Sequence, residues 1–173
     1  MFATIYLPNF YLQAALRHQP ELNDKPVALI DDLEKKAVII QLNAPAAESG
    51  VQYGMTPSQG LARSLHLIVK TRAIAQEKRM QNILLHFAGT LAPFVETTGP
   101  GISTVCFSDT KNLSAKVSRI ITQLAAGEIV AQAGIAPTPD TSFLAAHLAK
   151  PVLQIDRPGE FLATLPIETL MIT

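Results

Sequence analysis

The side chains best suited to hold a metal or relay a proton are four histidines, His18, His66, His86 and His147. None stands three or four positions from another, so no helix can present two on one face as a helical zinc site requires. Serine, histidine and aspartate are all present, yet no nucleophile-elbow motif places a serine on a sharp strand-to-helix turn. The adjacent acids Asp31 and Asp32 separate two apolar runs and read as a solvated turn. Cys106 is the single cysteine, so it cannot close an internal disulfide. It reads as a buried strand thiol in a reducing compartment. These residue types point to no metal centre and no cofactor.

The remaining chemistry must come from what the fold brings together. The chain has 173 residues, 48% of them hydrophobic and 16% charged, which supplies a core and excludes disorder. Lysine and arginine balance aspartate and glutamate at 14 each. Phosphate affinity scales with cationic contacts, so this chain alone is expected to bind DNA weakly if at all. No apolar run approaches the roughly 18 residues of a membrane span, and no basic leader opens the chain. No membrane association and a cytoplasmic location are the expectation.

Short apolar runs bounded by turn signals predict strands over residues 2–7, 26–31, 36–42, 66–72, 94–96, 102–107, 129–135 and 152–155. Helices are predicted near 11–18, 46–49 and 56–63, the last opened by Thr56 as N-cap with Pro57 behind it. A long helix over 73–91 carries Met80, Ile83, Leu84, Phe87 and Leu91 on one face, with Glu77, Lys78 and Arg79 outside it. Another over 112–126 turns Leu113, Val117, Ile120, Ile121 and Leu124 inward. A third over 139–149 has Phe143, Leu144 and Leu148 as its apolar face. From residue 73 the order is helix, strand, strand, helix, strand, helix. With the first strand this gives the split ferredoxin-like pattern, interrupted by an insertion.

That layout resembles the palm of Y-family (lesion-bypass) DNA polymerases with its inserted fingers. Local stretches match in order: Pro26-Val-Ala-Leu29, Ala47 to Met55, Phe94-Val-Glu96, Gly134-Ile-Ala136 followed by Lys150-Pro151, and Phe161 to Pro166. The resemblance implies an α+β fold, a ferredoxin-like polymerase palm with an inserted small α/β fingers module, truncated at the start of the thumb. Residues 1–17 would be the first palm strand and helix, 18–72 the fingers insertion, 73–158 the rest of the palm and 159–173 the start of the thumb.

Two-metal phosphoryl transfer needs clustered carboxylates. By the resemblance these fall at Tyr6, Gly101 and Ile102, none of them acidic, and a backbone ligand falls at Pro8. The triphosphate contacts fall at Ala44, Ala47 and Pro139, which offer neither cation nor donor. Phe10 and Tyr11 match the aromatic pair beneath the incoming sugar, although core and helix-start packing is the favoured reading of both. Glu96 and Asp109 are the nearest surviving acids.

The resemblance therefore implies an ImuB-type scaffold in DNA-damage-induced mutagenesis and translesion synthesis, not an enzyme. Its partners would be an error-prone C-family polymerase, the RecA-like ImuA and the sliding clamp. Two alternatives stand beside it. One is an active, divergent lesion-bypass DNA polymerase. The other is a ferredoxin-like protein- or RNA-binding module displaying Tyr6, Phe94 and Phe107.

Overall fold

Successive side chains from Phe2 to Tyr6 point to opposite sides of a strand, which sets the two faces of a sheet. The structure, a computed structural model, describes residues 1–31 and 37–171. In chain order come β1 (Phe2–Tyr6), α1 (Phe10–Leu16), β2 (Val27–Ile30), β3 (Ile39–Leu42), α2 (Ala44–Glu48), α3 (Pro57–Arg63) and β4 (Ile68–Thr71). Then follow α4 (Ile74–Gly89), β5 (Phe94–Gly99), β6 (Ile102–Cys106), α5 (Leu113–Ala126), β7 (Gln132–Ala136), α6 (Pro139–Leu148), β8 (Val152–Gln154) and α7 (Pro158–Ala163). Two compact units result: Met1–Pro8 with Gln81–Thr173, and Asn9–Met80. Asp32 and Lys36, predicted in a turn and at a strand start, lie outside the described residues.

The first unit holds a five-stranded sheet in the order β5-β6-β1-β7-β8. β1 runs antiparallel to both β6 and β7, and β8 joins parallel to β7. The predicted split ferredoxin-like arrangement is present. Ala3, Ile5 and Val105 are fully buried, and α5 buries the five apolar residues its periodicity named.

The remaining helices depart from expectation in instructive ways. α6 buries Thr141, Ser142, Ala145 and Ala146 rather than Phe143, Leu144 and Leu148. The cause is its closeness to the sheet: a Cβ on Gly134 would collide with backbone atoms of Ser142, Ala145 and Ala146. Only small side chains fit such an approach. Thr4 Oγ1 lies 2.7 Å from Ser142 Oγ and 3.0 Å from Thr104 Oγ1, so hydrogen bonds satisfy the buried hydroxyls beneath the helix. On α4 the buried stripe runs Glu77, Met80, Leu84, Ala88, so Glu77 lies inside it and not outside as predicted.

The second unit is a three-stranded sheet, β3-β2-β4, with β2 antiparallel to β3 and parallel to β4. Val27 and Leu29 pack with Leu12, Leu16 and Leu22, while Ala28 packs with Ile39, Ala46, Val51 and Leu67. Alternation along β2 thus feeds two separate cores. Thr56 and Gln59 form the capping box that starts α3, with Pro57 at the first helical position. Among the described residues no helix is long and apolar enough to cross a membrane.

Candidate functional site

The sheet of the first unit carries three of the sequence-predicted positions at one end of β1 and β6. Tyr6 pairs across the strands with Ile102, and Leu7 N donates to Gly101 O at 2.9 Å. The Tyr6 ring stacks on His147 with centroids 4.0 Å apart and planes 25° apart. His147 in turn lies 4.4 Å from Phe143, and its Nδ1 is 2.9 Å from the Phe143 carbonyl, which accepts the hydrogen bond. Burial raises the Tyr6 phenol above its ordinary pKa of 10. Burial also lowers His147 below 6.5, against the smaller upward pull of its hydrogen bond to Phe143. Burial thus favours the neutral form of both rings. The sequence reading missed this stack, although Phe143 and His147 stand four apart on α6, the spacing at which helical side chains meet.

Gly101 is buried with φ +71° and gives its N–H to Gln81 Oε1 at 2.8 Å. That left-handed turn suits glycine, which adopts it without the steric cost a Cβ brings. A divalent cation bound as the family resemblance implies needs carboxylates at Tyr6, Gly101 and Ile102. A phenol, a backbone turn and an aliphatic group do not fit it. Among the described residues no three His, Cys, Asp or Glu side chains gather as a cation site. Glu96 opens into a groove of about 300 Å³ that also touches Phe2, Phe94, Thr104, Cys106 and Pro139. Asp109 lies past the other end of β6 and pairs with Lys116 at 3.8 Å.

Pro139 occupies the first turn of α6, where Thr138 caps the helix through Thr141 N. Its role there is to start the helix. Cys106 is exposed on the groove, not buried as predicted, because strand alternation buries Val105 and turns Cys106 to the uncovered part of the face. Phe94 is 74% exposed and Phe107 is 6% exposed. With Tyr6 stacked on α6, these three aromatics do not form one open stacking surface.

In the second unit Ala44 and Ala47 are exposed on α2. The polar work there falls to Asn43, which the sequence reading passed over. Its Oδ1 accepts from Val27 N at 2.9 Å and Ala46 N at 3.1 Å, and its Nδ2 donates to Lys25 O at 2.7 Å. Phe10 is buried and meets Tyr11 edge-on at 5.4 Å. Tyr11 is half-buried and lies over the Arg72 guanidinium, 4.2 Å from its central carbon. Arg72 also pairs with Asp31 and Glu77.

Comparison with known proteins places this geometry. Residues 5–147 match the impB/mucB/samB family. DNA polymerase IV of Enterobacter sp. (strain 638) is 26% identical, the match covering 93% of this chain and 48% of the relative. That of Pseudomonas syringae pv. tomato is 28% identical with the same coverage. The chain thus spans about half the length of the curated relatives it matches. The fold is similar to Dbh DNA polymerase in an insertion ternary complex, at TM-score 0.84 and 18% identity over 97% of this chain and 53% of that one. DinB from Sulfolobus solfataricus gives TM-score 0.82 at 17% identity, over 97% of this chain and 52% of that one. These likenesses show the polymerase palm-and-fingers fold.

The expectation that the chain is not an enzyme is overturned by this comparison, since the relatives matching 93% of it are named DNA polymerase IV. Weak DNA binding likewise finds no support among relatives so named. The chain belongs to the impB/mucB/samB family.

Proposed function

We propose that this chain is the palm-and-fingers portion of a divergent lesion-bypass DNA polymerase whose substrates are a primer–template duplex and an incoming nucleotide. The observation that carries this reading is the similarity running through 93% of the chain to proteins named DNA polymerase IV. The five-stranded sheet with its split ferredoxin-like order supports it. The protein's own residues would supply shape. β1 and the β5–β6 hairpin would form the floor under the duplex, Tyr6 and Ile102 would present neutral surface there, and Gly134 would let α6 lie close to that floor. Any carboxylate chemistry would come from positions other than Tyr6, Gly101 and Ile102.

Primer extension by the protein, on an undamaged template and on one with an abasic site, tests the reading. Templated extension that continues past the lesion supports it. No extension on either template overturns it.

A second reading rests on the neutral side chains at Tyr6, Gly101, Ile102, Ala44, Ala47 and Pro139 taken together. It is an assembly role of ImuB type, beside a C-family polymerase, ImuA and the sliding clamp. Co-purification of the protein with each of these from damaged cells supports that role, and recovery of none removes it.

A further inference from the structure

Arg72 follows β4 in the second unit, and its guanidinium joins α4, α1 and the end of β2. Its Nε donates to Glu77 Oε1 at 3.0 Å and its Nη2 to Glu77 Oε2 at 2.7 Å. Its Nη1 donates to Asp31 Oδ2 at 3.1 Å, past the end of β2. Its central carbon lies over the Tyr11 ring of α1, 4.2 Å from the ring centroid. Glu77 is only 6% exposed, so its charge requires this partner.

The arrangement exceeds what neutralising Glu77 demands. A bidentate pair alone satisfies that carboxylate. Asp31 adds a second edge contact, and the two carboxylates together fix the plane of the guanidinium. A fixed plane gives the Tyr11 ring one preferred orientation against it. On its other sides Tyr11 meets Phe10 edge-on and packs against the cluster of Leu12, Leu16, Leu22, Val27 and Leu29.

We infer that Arg72 is a positioning residue for Tyr11: Glu77 and Asp31 orient the guanidinium, and the guanidinium orients the ring at the start of α1. Lysine keeps the charge but has neither the planar face nor the fork. The substitution Arg72→Lys therefore separates charge balance from ring placement. Any effect on nucleotide use rests on the polymerase reading above; the placement of Tyr11 does not.

Tyrosine-ring NMR of the protein reads the placement directly, because Tyr6, Tyr11 and Tyr53 are the only tyrosines. Arg72→Lys is expected to move the Tyr11 ring signals and leave Tyr6 in place. Glu77→Gln, which loosens the guanidinium without touching Tyr11, should move them the same way and less. Tyr11 signals unchanged in both variants would overturn the inference and leave Arg72 a simple counter-ion. In primer extension, Arg72→Lys should raise the nucleotide KM by about fivefold with a smaller change in kcat, the scale of one lost cation–π contact. A displaced Tyr11 in a protein that shows no nucleotide dependence at all would support the positioning role and refute the polymerase reading.

Discussion

The end of the β1–β6 pair and the surroundings of Arg72 place their polar groups in opposite ways. Around Tyr6, rings stack on rings, a glycine turn closes the hairpin, and both titratable groups are pushed toward their neutral forms. Around Arg72, two carboxylates and a guanidinium stand together at 2.7–3.1 Å, and the hydrogen bond to Glu77 above all raises the arginine pKa further. Among the described residues the buried charged side chain, Glu77, is held by an ion pair within the second unit. The positions where the family resemblance calls for acids form a neutral, close-packed edge in the first.

The largest expected effect breaks the neutral side of that contrast. Gly134→Val forces a branched side chain into the backbone of α6 and should cost about 3 kcal/mol or more, read as a drop in urea midpoint. Next is the charged side. Arg72→Met leaves Glu77 buried without its partner and should cost about 3 kcal/mol, with part regained when Glu77→Gln is added. Tyr6→Ala removes a half-buried stacked ring and should cost about 2 kcal/mol, less than for a fully buried aromatic.

The smallest effect is the pH dependence. His147 is held below its ordinary 6.5, so the unfolded chain takes up this proton first as pH falls. Its contribution is present above 6.5 and declines as pH falls from there through the lowered folded-state value. His147→Gln should flatten that part of the stability–pH curve. Tyr6 works in the opposite sense: its pKa is raised above 10, so its contribution is complete below 10 and lost above it.

Much of this architecture can be read from local signals. Periodicity locates α5 and its five buried residues, and the Thr56-Pro57 start of α3, because those signals lie within one turn or one face. The order of elements from residue 73 reveals the split ferredoxin-like pattern. What stays hidden depends on distant partners. Arg72 and Asp31 are 41 positions apart, so nothing local marks Asp31 as a member of the Arg72 ion-pair cluster. The buried face of α6 is set by Gly134 on another strand, which overrules the apolar choice of Phe143 and Leu148. Cys106 lies exposed on the groove beside Glu96, and a strand pattern alone cannot show that. Tyr6, Gly101 and Ile102 could be identified as non-acidic from the sequence, while the ring that fills the space beside Tyr6 could not.

Fluorescence anisotropy of a labelled primer–template, titrated with the protein in the presence and absence of the templated nucleotide and Mg²⁺, tests the functional account most directly. The account predicts saturable binding that tightens when the templated nucleotide is added and not when a mismatched one is. Binding indifferent to nucleotide, or no binding at low salt, would contradict it.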